Sequence, residues 1–418
     1  MTIDLAAGVH LTVLPTTQFK TISTLVTFSS PASLSTLTAR SLLADLLETS
    51  TAAYPTQTDL ASVLSDMYGA NYSTNVTKNG EQAQFQFALT VPNGRYLADQ
   101  PDLLTAGFDF LNEVINRPLL QNGLPAFDSV TFARQQHNLA VALRAVDEDK
   151  ALAARLAAQR LHFGEVVAGY PSAGRLSDVA SLTASEVFNV YQQMVTDDEV
   201  HIYVLGDVEE ASARTAATKL QLPDRTPAIS GLFYHNKPAV SVKSAVKHES
   251  LTQAKLDLIY HFPVDYGQAL YYPAQVFNGL FGGTPLSLLF TNVREKHSLA
   301  YYANSSVNFF NQTLTVQTGI DGRQAEQVQS IIAQQLADLT EGRFSDQRFH
   351  QVQETLINAR EAAQDSPRVV IGSQLLDDLS GQTVSVADWV NGINAVTPAD
   401  VTMVARLATL ATVYLLTN

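Results

Sequence analysis

Cysteine is absent from all 418 residues. Disulfides, thiolate nucleophiles, Cys-based zinc sites and iron–sulfur ligation are therefore excluded. Charge is also scarce, with Asp, Glu, Lys and Arg at 16% of the chain against 46% hydrophobic residues. That balance belongs to a folded, core-forming protein. Bases are the minority within it, 26 Lys and Arg against 40 Asp and Glu, for a formal net charge of −14. So acidic a chain offers no basic face for phosphate backbones or anionic lipids, and neither nucleic acid nor membrane is expected as a partner. No apolar run approaches the roughly 20 residues a spanning helix needs. Met1–Gly8 has no basic stretch followed by an apolar one, so no secretory leader is expected there and the cytoplasm is the expected compartment. Histidines are dispersed. A metallopeptidase helix sets two imidazoles four residues apart on one face, and the histidines at 10, 137, 162, 201, 235, 248, 261, 297 and 350 contain no such pair. There is no Gly-x-Ser-x-Gly elbow, and Gly282-Gly283-Thr284 lacks the lysine of a phosphate-binding loop.

What is present reads as a duplication. Thr183 stands three residues before Glu186, and Thr397 stands before Pro398 and three residues before Asp400. Both are helix starts: the first can close a capping box, and the second puts proline at the first helical position with an acid near the dipole. Each start precedes an apolar strand, Val200–Leu205 in one case and Thr412–Leu416 in the other. The offset is 397 − 183 = 214 residues, about half the chain. Alternating segments at Ala83–Leu89 and Thr313–Thr318 predict half-buried strands at matching places. Each half thus reads strand, helix, strand pair, long helices, strand, an α+β layer with an antiparallel sheet covered by helices. Pro223, Pro227 and Pro238 mark a linker over 223–246, which separates an N-terminal domain, 1–222, from a C-terminal domain, 247–418. Helices are expected over 39–47, 60–67, 103–115, 324–337 and from 347 to 361. A single long helix is expected over 129–161, with Asp147, Glu148 and Asp149 on its solvated face. In the first helix Leu42, Leu43, Leu46 and Leu47 should point inward.

Arg294 and Tyr301 are the strongest candidates for chemistry. They follow a glycine-punctuated segment, Phe277-Asn278-Gly279-Leu280-Phe281-Gly282-Gly283-Thr284-Pro285-Leu286. Thr284-Pro285 predicts a helix start, with Arg294, Lys296 and His297 as cations in its last turn. Tyr301 and Tyr302 then open a strand whose adjacent residues face opposite ways. A guanidinium is a planar fork of donors that keeps its charge, and a phenol is one donor on a rigid ring. Two such donors suit a carbonyl oxygen on which negative charge develops.

The glycine turn, the Leu288-Leu289-Phe290 helix, Arg294-Glu295-Lys296 and Leu299-Ala300-Tyr301-Tyr302 together resemble the C-terminal half of peptidase family M16, the insulinase/pitrilysin-like zinc peptidases. The order of strands and helices resembles that family over nearly the whole chain. The resemblance implies two tandem homologous domains of the LuxS/mitochondrial-processing-peptidase-like kind. It maps the family's substrate-gripping pair onto Arg294 and Tyr301, in preference to Tyr302; separately, the tight turn at Gly282, Gly283 and Thr284 is expected to allow close approach of a peptide substrate, with Tyr302 beside it. The family's His-x-x-Glu-His helix falls on Ser41-Leu42-Leu43-Ala44-Asp45. Ser41 and Asp45 then replace the ligands, Ala44 replaces the catalytic Glu, and no Glu occurs between Glu113 and Glu148, where the third ligand is due. No metal or cofactor is expected on this chain, and it is not expected to be a peptidase alone. The resemblance implies a substrate-binding subunit of a heterodimeric zinc metallopeptidase acting on peptides, with zinc in a partner that has an intact His-x-x-Glu-His motif. The isolated chain can alternatively self-associate. The other reading is an inert scaffold or peptide-binding protein of the same fold.

Overall fold

The computed structural model describes residues 2–418 apart from 229, 230, 236, 239, 297 and 298, with only the backbone of 295 and 296. Two compact units result. The first takes in Met1–Ala145, Pro171–Gly231 and Pro367–Leu375, and the second Val146–Tyr170, Leu232–Ser366 and Leu376–Asn418. The units are interleaved along the sequence: the first half lends 146–170 to the second unit, and the second half lends 367–375 to the first.

The first unit is built on a six-stranded sheet. Its strands are β1 (Thr2–Ala6), β2 (Val9–Pro15), β3 (Thr21–Pro31), β4 (Asn71–Asn79), β5 (Gln82–Pro92) and β6 (Glu199–Gly206), in the order β1-β2-β6-β3-β5-β4. The second sheet has β7 (Lys243–His248), β8 (Ala254–His261), β9 (Ala300–Asn308), β10 (Thr313–Ile320) and β11 (Thr409–Thr417), in the order β7-β11-β8-β10-β9. Setting β1 aside, the orders superpose as β2/β7, β6/β11, β3/β8, β5/β10 and β4/β9, so the duplication is a duplication of topology. Neither sheet is wholly antiparallel. β2 pairs with β6 in parallel, and β7 with β11 likewise. The cause is topological: the last strand of each half enters between two strands of opposite direction, so it must run parallel to one of them.

The helices are α1 (Leu34–Thr49), α2 (Gln57–Asp66), α3 (Leu103–Asn116), α4 (Ser129–Ala145), α5 (Lys150–Phe163), α6 (Leu176–Val179), α7 (Ala184–Asp197) and α8 (Glu210–Ala217). In the later part come α9 (Tyr271–Asn278), α10 (Ala325–Thr340), α11 (Asp346–Ala362), α12 (Pro367–Ser380), α13 (Val386–Ala395) and α14 (Pro398–Ala405). Among the described residues no helix is long and apolar enough to cross a membrane. On α1, Leu42, Leu43 and Leu47 are fully buried and Leu46 nearly so, packed with Val26, Phe28 and Phe87 in one core. The expected helix over 129–161 is two helices. Asp149 caps the second, its carboxylate accepting from the amides of Ala151 and Leu152 at 3.0 and 3.1 Å. The acidic run Asp147-Glu148-Asp149, expected on a helix face, is therefore a turn and a cap, because a short acid competes for backbone amides better than it serves a helix interior. Beyond the turn, α5 lies on β8 and β11, where Ala154 and Ala158 pack against Ile259, Tyr414 and Leu416. Both duplicated helix starts are full capping boxes: Thr183 with Glu186 opens α7, and Thr397 with Asp400 opens α14.

Candidate functional site

The glycine segment comes first in building the site. After α9 the chain winds through a wide turn, Gly279–Gly283, of the i→i+5 kind. Gly282 is buried, and a β-carbon there would stand 2.6 Å from the backbone nitrogen of Ser305 and 2.9 Å from Leu289. It is glycine because β9 passes against it. Gly283 is exposed, while Thr284 is buried and its hydroxyl donates to the Gly279 carbonyl at 2.9 Å. Close approach at this turn is thus made to the protein's own strand. Ser305 also donates its hydroxyl hydrogen to Asn278 Oδ1 at 2.7 Å, which ties β9 to the end of α9.

A second wide turn, Phe290–Lys296, carries Arg294. Such windings are rare and recur at functional sites. Val293 is fully buried and Leu299 nearly so, and the Leu299 amide donates to the Val293 carbonyl at 3.0 Å. Arg294 leaves this anchor into solvent, with its guanidinium carbon 4.6 Å from the Phe290 ring centre. That cation–π contact orients the fork without using any of its N–H donors. The expected cationic partners, the side chain of Lys296 and all of His297, lie outside the described residues.

Tyr301 stands on the other side of the same anchor. In the β9–β10 ladder Gly319 faces Tyr302 and Ile320 faces Ala300, so Tyr301 is the extra residue of a β-bulge. A bulge leaves its extra residue unpaired and re-aims the side chain. Tyr301 is accordingly 76% exposed, the most exposed tyrosine among the large exposed side chains of the molecule. β9 is also the last strand of its sheet. Tyr302 is placed differently. Its ring crosses Gly319, where a β-carbon would come within 2.5 Å of it, and Lys255 Nζ lies 5.2 Å from the ring centre. Burial, then the nearby Asp257 and Asp149, pushes the Tyr302 phenol up to about 12.

In the first unit, the α1 positions do not fit a zinc ion. Ser41 offers only a hydroxyl, Ala44 offers nothing, and Asp45 is the one carboxylate. A catalytic zinc needs about three such donors. Burial and the neighbouring Glu48 raise the Asp45 carboxyl to about 6. Glu48 itself accepts from the backbone amide and hydroxyl of Thr74, both at 2.9 Å, and so braces α1 against β4. Among the described residues the one group of three converging ligand side chains lies elsewhere, on strands: His10, Glu199 and His201. Helical spacing does not mark it. Its sequence signal is the strand period, Glu199-x-His201.

The family described as Peptidase M16 inactive domain matches residues 181–356. The chain is 33% identical over 417 residues to the Bacillus subtilis protein named "Probable inactive metalloprotease YmfF", covering 98% of this chain and 96% of that one. Among solved structures, a conserved protein from Enterococcus faecalis superposes with a TM-score of 0.94 at 36% identity, covering 100% of this chain and 98% of the other. A peptidase M16 inactive domain from Pseudomonas fluorescens shares the fold at a TM-score of 0.82 and 14% identity, over 100% and 98% of the two chains.

Proposed function

This chain belongs to the M16 peptidase family, as a homologue whose zinc-motif positions are replaced, and from that premise we propose that it is the substrate-binding subunit of a two-chain zinc metallopeptidase acting on peptides in the cytoplasm. The partner carries the His-x-x-Glu-His helix, its metal and its base. This chain contributes Arg294 and Tyr301, which hold the substrate backbone and donate hydrogen bonds to the scissile carbonyl oxygen as charge develops on it. The observation that carries the proposal is the bulge at Tyr301. A large aromatic side chain held 76% in solvent by a break in the ladder has no packing role of its own. Arg294, held over Phe290 and next to Val293, whose carbonyl accepts from the Leu299 amide, supports the same reading. An inert scaffold has no use for either arrangement.

The test is reconstitution. Purification of the tagged chain from its own cells should bring down an M16 chain with an intact zinc motif, and the pair should hydrolyse peptides. Arg294→Ala and Tyr301→Phe should each lower the activity of the pair by roughly 10²- to 10³-fold without dissociating it. Full activity in both variants removes the role assignment. If no zinc-bearing chain is captured and only self-association is seen, the scaffold reading takes over.

A further inference from the structure

At the edge of the first sheet three strands bring a line of ligand atoms into register. Asp4 on β1 faces His10 on β2, and His10 faces His201 on β6. Glu199 lies two residues before His201 and so projects from the same face of β6. The Nδ1 atom of His10 is 2.7 Å from Asp4 Oδ1, and its Nε2 is 3.6 Å from Glu199 Oε1. The His10 and His201 rings stand 4.9 Å apart, centre to centre. One donor atom from each of His10, Glu199 and His201 lies within 4.8 Å of the other two.

A neutral imidazole has one proton. If His10 donates it to Asp4, its Nε2 lone pair looks directly at the Glu199 carboxylate. Two lone-pair donors facing each other at 3.6 Å call for a cation between them. Zinc–ligand bonds of about 2.0–2.1 Å in a tetrahedron set donor–donor edges of about 3.3 Å, so small side-chain rotations suffice. The Asp4 contact is also what a metal-bound histidine needs on its other nitrogen, a carboxylate that fixes the tautomer and raises its basicity. The His201 side is closed: it is 9% exposed and its ring stacks on fully buried Tyr203 at 6.3 Å. The Glu199 side is open, at 39% exposure, which leaves room for a water as fourth ligand.

We propose that His10, Glu199 and His201 bind a divalent transition-metal ion of the zinc class, with Asp4 orienting His10, and that the ion pins the β1–β2 hairpin to β6. Two imidazoles and a carboxylate suit zinc, cobalt, nickel or copper and not calcium or magnesium. The site is remote in sequence from the replaced α1 motif and owes nothing to peptide hydrolysis, so it stands or falls separately from the proposal above.

The probe is Zn²⁺ itself, titrated calorimetrically into the full chelator-treated chain near neutral pH, with Co²⁺ absorption as a second readout of coordination number. One equivalent should bind with a dissociation constant in the micromolar range or tighter, and should raise the melting temperature. His10→Gln and His201→Gln should each weaken binding at least tenfold. Asp4→Asn should weaken it by about 10- to 100-fold, as loss of an orienting carboxylate does. Glu199→Gln, at a half-exposed position, covers the case in which a histidine variant fails to fold. No binding at about 100-fold excess metal, or binding unchanged in all four variants, overturns the proposal. The group is then only a set of polar side chains at a sheet edge.

Discussion

Asp257, in the middle of β8, shows what single-residue burial does to the stability of the second unit. It is 2% exposed, and its Oδ2 receives no hydrogen bond among the described residues. Burial pushes its carboxyl up to about 7, against weaker opposing effects of Gln317, Arg155 and Lys255. Unfolding returns it to about 3.9. The native state therefore holds a proton that the unfolded chain releases, and stability must fall as pH rises between those values. The contribution is fully present below about pH 4 and is gone once pH passes the folded value of about 7. Asp257→Asn keeps the shape and removes the charge. It should melt higher than the parent at pH 8, with the gap closing by pH 4.5. A gap that stays constant across that range would show that Asp257 does not titrate. Sequence exposes residues of this kind poorly, because an Asp in a strand carries no mark of how deeply its strand is buried. The replaced motif, Ser41, Ala44 and Asp45, was the opposite case: residue identity alone settles which donors are missing there.

At the scale of elements, the glycine turn and β9 form one mechanical piece. Gly282 touches Ser305 on β9, the turn bearing Arg294 packs on the same strand, and Tyr301 bulges from its start. The sequence points to the turn and the strand, but where Thr284-Pro285 predicts a helix start the chain turns and runs into the wide winding Phe290–Lys296. It did not indicate the wide winding of both turns or the bulge, because neither has a residue pattern: they arise when β9 and β10 must register around one extra residue. Likewise the break between α4 and α5 hid in a stretch where both flanks favour helix, and the three-strand alignment of Asp4, His10 and His201 depends on pairing that no local window contains. Capping boxes are local, and for that reason Thr183 and Thr397 were legible. The coupling within this piece is testable at its tightest point. In Gly282→Ala the new methyl meets a backbone nitrogen at 2.6 Å, which cannot rotate away as a flexible side chain would. Overpacking of this sort costs about 1–3 kcal/mol, and the shift of β9 should carry Tyr301 with it and lower the activity of the reconstituted pair. Gly372→Ala, within α12 and with nothing within 4 Å of the new methyl, should instead be neutral or stabilise by up to about 1 kcal/mol. Urea midpoints of the two variants that shift alike would deny the difference.

For the whole molecule, the informative fact is that the compact units do not coincide with the two halves of the sequence. The pattern break over 223–246 separates two copies of a topology, yet the second unit includes Val146–Tyr170 from the earlier copy. Within that unit α5 covers β8 and β11 through Ala154 and Ala158, and His162 Nδ1 lies 2.9 Å from the Thr412 hydroxyl. Burial, then Lys243 and His261, holds the His162 imidazole down to about 4, so it stays neutral under the helix near pH 7. A fragment cut at the pattern break, 247–418, lacks this helix and presents Ile259, Tyr414 and Leu416 to water on one sheet face. An exposed apolar sheet face of that kind drives association. The fragment should therefore be insoluble or oligomeric by gel filtration and light scattering, whereas 146–170 joined by a flexible linker to 232–418, which restores α5 and omits the first unit's 171–231, should show less self-association and a sharper urea transition. Equal behaviour of the two fragments would mean that α5 is dispensable to the second unit and that the boundary over 223–246 is a folding boundary as well as a boundary of pattern.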